Sequence, residues 1–163
     1  MNIVMIALWL HTLSMIIVLG GYIFLAIFWW PIIKRLDDTR TQLRLLGQTM
    51  RRFFPSVLVG LTIQITTGGL YLLPAAYRAF GAGDEAALAH FHLLLIYKLT
   101  AVFLVMLLVP MQLFGIGFRI TRMDAGIYPF DAQLFYRTAQ RMQIVSYVII
   151  VLLTVVVLIS STF

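Results

Sequence analysis

Two histidines, His11 and His92, stand inside apolar stretches long enough to cross a lipid bilayer. A lone imidazole is costly in hydrocarbon, so an intramembrane histidine points to a site with a partner. Two helix-borne imidazoles at one depth, here the external half of the bilayer, could fill both axial positions of a haem iron. Lys98 is the only Lys or Arg inside the apolar runs, and no Asp or Glu accompanies it there. It could snorkel outward, bond Gln64, or pair with a bound anion such as a haem propionate. Arg78, between two runs, is another cation for a propionate, and Tyr22 returns to almost the helical face of His11. The missing carboxylates argue against a proton-coupled pump.

Copper is the rival occupant. Met15 follows His11 by one turn on the same face, and Cu(I) takes thioether sulfur together with imidazole nitrogen. Met1, Met5 and His90 add donors toward the same side. The eight methionines are scattered, however, and in the third helix only Met106 and Met111 fall in the inner half. A plainer account needs no ligand at all. Trp9, Phe91 and Tyr97 would be an interface belt, Gly20, Gly21, Gly68 and Gly69 helix-packing contacts, and each histidine bonded to a backbone carbonyl.

The elements that must position these groups follow from composition. Of 163 residues, 62% are hydrophobic and 11% charged, with a mean hydropathy of +1.00. A soluble domain carries roughly 25% charged residues. Four runs, 1–33, 53–77, 86–118 and 142–163, each suffice for one crossing, and they lack the alternation of a barrel strand. They predict one integral membrane domain, an all-α four-transmembrane-helix bundle with helices near 3–33, 53–75, 89–117 and 142–162. The absence of cysteine excludes disulfides, thiolate zinc sites and c-type haem attachment.

Orientation follows from charge. Residues 34–52 carry six cations (Lys34, Arg35, Arg40, Arg44, Arg51 and Arg52), and residues 119–141 carry four (Arg119, Arg122, Arg137 and Arg141). The connection between them has Arg78 against Asp84 and Glu85. By the positive-inside rule, both cationic loops are cytoplasmic and both termini face out. Positive charge follows the first run rather than preceding it, so that run is expected to be retained rather than cleaved. In DDTRTQLRLLGQTMRRFF, from Asp37, Leu43, Leu46 and Met50 share a face, which predicts a short interfacial helix leading into the second span. Asp131 is placed to cap a similar helix leading into the fourth. The arginines are expected to meet anionic headgroups, and nucleic acid is not an expected partner.

The segment LWLHTLSMIIVLGGYIF, followed by WWPIIKRL, resembles the first helix of the copper resistance protein D (CopD) family. RRFFPSVLVGLTIQITTGG resembles that family's entry into helix two, and FHLLLIYKLTAVFLVMLLVP its third helix with an early histidine. A more distant likeness is to HemJ-type protoporphyrinogen oxidases, through His11 and Lys98. The chain departs from the CopD pattern in carrying Val18 and Leu19 where a tryptophan often precedes the Gly-Gly pair. It is also a bare four-helix unit without a fused periplasmic copper domain, and both departures weigh against copper transport.

The resemblance implies a bacterial inner-membrane protein tied to copper in one branch and to b-type haem in the other. The leading expectation is haem b held by His11 and His92 between helices 1 and 3, with electrons passing between quinone and a periplasmic redox partner. A copper-transfer protein using His11, Met15, His92 and His90 is the alternative, with a periplasmic copper partner. A non-catalytic accessory or assembly subunit is the third. A second copy of the chain is a further expected partner, and porphyrinogen oxidation involving Lys98 is a narrower form of the haem expectation.

Overall fold

The computed structural model describes residues 2–80 and 85–162; Met1 and Asp84, named above, lie outside them. Four long helices account for nearly all of it: α1 (Ile3–Ile33), α2 (Thr39–Ala79), α3 (Glu85–Asp124) and α4 (Ala132–Ser160). Each is long and apolar enough to cross a bilayer, and no strand occurs among the described residues. The molecule is an all-α four-helix bundle. α1 packs along α2 and α4, α3 packs along α4, and the last turns of α3 meet the first turns of α2. α1 and α3 therefore stand diagonally. One end of the bundle carries both chain termini; the other carries most of the cations and is called the basic end below.

The outer surface has the character that lipid requires. Trp9, Leu70, Phe114 and Val151 are all more than 60% exposed, and water offers no reason to display so many large apolar side chains. The pattern is that of a multi-pass membrane protein.

The two basic segments are helical, as the capping pattern predicts, but they are not separate interfacial pieces. The Asp38 carboxylate accepts the Arg40 and Thr41 amides at 3.1 and 3.0 Å, and that of Asp131 accepts those of Gln133 and Leu134. From these caps α2 and α4 run into their spans without a break. Leu43, Leu46 and Met50 do share a face. It is buried against Trp30, Ile120, Phe135 and Met142 rather than laid on a membrane surface. Protein contact supplied the apolar partner that a bilayer would otherwise provide.

Packing is concentrated at the basic end and the middle. The first core joins Leu25, Trp30 and Ile33 of α1 to the early turns of α2 and α4. The second joins Val18 and Tyr22 to Val57, Val109, Leu113 and Ile149. Polar ties reinforce both levels. Arg51 pairs with Asp124, and the Gln112 amide donates to Met142 O and Ser146 Oγ, tying α3 to α4. Toward the termini the buried residues thin out to a few, among them Ala7, Ser14, Phe91 and Leu95.

Small residues set how closely the helices approach. A Cβ on Gly60 would lie 2.5 Å from Val18 Cγ2, and one on Gly117 would overlap the tip of the Phe54 ring at Cζ. Three widened turns, at Phe24–Trp29, Gly68–Leu72 and Met111–Gly117, interrupt α1, α2 and α3. Each closes with an N–H reaching back five residues: Trp30 to Leu25, Leu73 to Gly68 and Phe118 to Leu113. Each lies within two residues of a proline (Pro31, Pro74 and Pro110). Proline removes an i−4 donor and crowds the carbonyl behind it, and a widened turn re-registers the ladder nearby.

Two expectations follow. Gly60→Ala should lower the unfolding temperature in detergent, whereas Gly20→Ala, which meets nothing within 4 Å, should be neutral or gain up to about 1 kcal/mol. Equal losses in both variants would show that close helix approach is not what glycine provides. The Asp38 carboxyl is held below the usual carboxylate range by the Thr41 hydroxyl and by the Arg40 and Thr41 amides. Its cap is therefore in force at neutral pH and weakens as pH falls through that depressed value. Protection of the Arg40 and Thr41 amides from hydrogen exchange, taken relative to the intrinsic rate at each pH, should fall there, and in Asp38→Ala should be absent at every pH.

Candidate functional site

His11 is the best-defined polar group in the apolar half of the bundle. It sits on α1 with its ring turned toward α2, where Nδ1 lies 2.9 Å from Thr67 Oγ1. Thr67 is buried, and its hydroxyl donates to Ile63 O at 2.6 Å. A hydroxyl has one proton, so toward the ring Thr67 accepts. Nδ1 therefore carries the hydrogen, and Nε2 presents a lone pair. This is how a neighbouring acceptor orients a metal-binding histidine and chooses its tautomer.

The surroundings are made for that ring. Gly68 follows Thr67, and a Cβ there would stand 3.2 Å from His11 Cε1. The widened turn of α2 begins at the same glycine; such turns recur at functional sites. Below His11, Met15 meets the same helix, its sulfur accepting the Gln64 amide at 2.9 Å. Ser14 donates to His11 O and is buried in the α1–α2 contact. Lys98 of α3, half-buried, is within electrostatic range of the imidazole.

The other expected ligands are elsewhere. The His92 ring is exposed and packs on Tyr77 and Phe91. Along the α1–α2 contact the pairs Met15–Gln64, Val18–Gly60 and Trp29–Thr49 keep one antiparallel register. In that register His11 faces Thr67, while Tyr77 lies ten residues farther toward the termini, about 15 Å along the axis. On this register His92, packed on Tyr77, sits farther toward the termini than His11. His90, Arg78, Tyr97 and Trp9 are exposed.

Tyr22 also leaves the group. It is fully buried eleven residues toward the basic end, its ring edge-on to Phe53 at 5.2 Å. Its hydroxyl has no hydrogen-bond partner among the described residues. Of the four glycines expected as helix-packing contacts, Gly21 receives Phe53 and Gly68 receives His11; Gly20 and Gly69 meet nothing within 4 Å.

The donor set thus fits a group bound through one oriented imidazole nitrogen. The His92 ring, packed on Tyr77 and Phe91, lies outside that set. Among the described residues no three His, Asp or Glu side chains come together as a metal cluster. Thr67 and Gln64 were not among the expected site residues. Polar positions one turn apart in an apolar run were the available signal, but pairing them with His11 and Met15 needs the helix register. No family model, curated protein or solved structure matches this chain.

The tautomer assignment is directly checkable. Nitrogen NMR of ¹⁵N-histidine-labelled protein should report His11 protonated at Nδ1 and bare at Nε2. Thr67→Ser should keep that signature and Thr67→Val should lose it. An unchanged signature in Thr67→Val would mean that some other group orients the ring.

Proposed function

We propose that this chain is a small inner-membrane protein that holds haem b through Nε2 of His11, for electron transfer near the external face. The observation that carries this reading is the Thr67 hydroxyl, which commits His11 to the tautomer able to ligate. Lys98 supplies a cation in range of the same ring, suited to a propionate. The sparse packing around His11 leaves that half less filled than the basic end. The charge distribution supports a cytoplasmic basic end and periplasmic termini. A quinone and a periplasmic redox protein are the partners of appropriate chemistry and location.

This reading revises the two-histidine arrangement. His11 is the single protein ligand to the iron, and His92 is an aromatic contact of Tyr77. Protein purified from haem-replete cells should show a Soret band. His11→Ala should abolish it, Thr67→Val should lower haem affinity about 10- to 100-fold, and His92→Ala should keep it. A colourless wild-type protein would reject haem. Equal loss in His92→Ala would reinstate the second histidine.

One observation favours a second reading. His11 and Met15 lie side by side against α2, a nitrogen–sulfur pair that suits Cu(I). Stoichiometric copper without haem, lost in Met15→Leu, would select that reading.

A further inference from the structure

Two hollows lie along the α1–α2 pair and share one stripe of α2, which makes them a single candidate groove. One, of about 480 Å³, opens at the basic end between Trp29 and the segment Leu45–Arg52. The other, of about 400 Å³, lies farther into the span and is almost wholly apolar, with Leu13 and Ile17 on one wall and Val59 and Ile63 on the other. Both belong to one face of α2. Leu45, Thr49 and Arg52 line the first hollow and Ser56, Val59 and Ile63 the second, at alternating steps of four and three residues. That spacing is a single helical stripe. Gly60 lets α1 and α2 approach closely beneath it.

Charge is placed at one end of the groove only. Arg51 and Arg52 are the last cations before the apolar run that begins at Phe53, which puts them at the depth of the headgroups. Arg51 is shared with Asp124; Arg52 is exposed. Gln48, which lines the same hollow, brings an amide donor. The Trp29 indole donates to Thr49 at 2.8 Å, which fixes the aromatic wall beside them. The deeper hollow has no charged side chain.

We infer that this groove is a binding site for one anionic phospholipid, its phosphate on Arg52 and Gln48 and one acyl chain along the Val59–Ile63 stripe. Charge complementarity at the head and an apolar channel along the tail select an anionic two-part amphiphile. A free anion would use only the mouth of the groove, and a zwitterionic lipid brings a cation to a cationic rim. The site is separate from His11, whose ring is turned to Thr67.

The test is native mass spectrometry of the detergent-purified full chain with phosphatidylglycerol and phosphatidylcholine of identical acyl chains. Wild type should retain one phosphatidylglycerol in preference to phosphatidylcholine. Arg52→Gln should weaken phosphatidylglycerol about fivefold and leave phosphatidylcholine unchanged. Val59→Trp, at a position 59% exposed, should fill the channel and weaken both lipids. Arg137→Gln, an exposed cation of α4, should alter neither. Equal weakening by Arg137→Gln and Arg52→Gln would reduce the effect to diffuse attraction and overturn the site. So would an unaffected Val59→Trp, or a wild type without preference.

Discussion

Hydrocarbon does not drive apolar helices together, so the bundle depends on how closely backbones can approach, and here the decisive approach is between α1 and α2. Gly60 accepts Val18, Gly21 accepts Phe53 and Gly68 accepts His11, three contacts spread along one crossing. They hold a single register, and that register decides which polar side chains meet. Moved by one residue, Thr67 would no longer face the imidazole, and the buried nitrogen would need another acceptor. Packing therefore selects the tautomer, which is a chemical property, through a steric one.

Much of the fold was legible in the sequence and much of the site was not, for different physical reasons. Hydropathy located all four spans because a bilayer demands long uninterrupted apolar runs. It misjudged where α2 and α4 begin, since hydropathy reports the membrane and not the helix. Arg40, Arg44 and Arg137 are good helix formers, and an aspartate cap starts each segment well before the lipid does. Depth within a run was the greater difficulty. Counting residues from the start of an apolar stretch presumes that all stretches start at one plane, whereas His92 packs on Tyr77, ten residues along α2 from the Thr67 that meets His11. His92 is therefore carried away from His11 by contacts that no property of its own segment announces. Tyr22 shows the complementary failure: sharing a face with His11 is not sharing a level.

The site that remains is sparse. One imidazole, one hydroxyl that orients it, one sulfur a turn away and one cation in range are few groups, yet each is placed by helix rather than loop. A ligand borne on a helix and fixed by a buried hydrogen bond loses little freedom when it coordinates, which favours affinity over adaptability. Tyr22 presents the opposite economy. Its hydroxyl, without a hydrogen-bond partner among the described residues, costs about 1–3 kcal/mol relative to a satisfied one, set against the burial of its ring on Phe53.

The uneven distribution of buried side chains has a mechanical consequence. The helices are rooted where Trp30, Phe135 and Met142 interlock and where Arg51 latches to Asp124, while their opposite tips share few contacts. The re-registered turn at Gly68 lies just where rooted and unrooted portions of α2 meet. Separating the terminal ends would therefore expose less buried surface than parting the basic end, where most of the core that holds the molecule together is gathered.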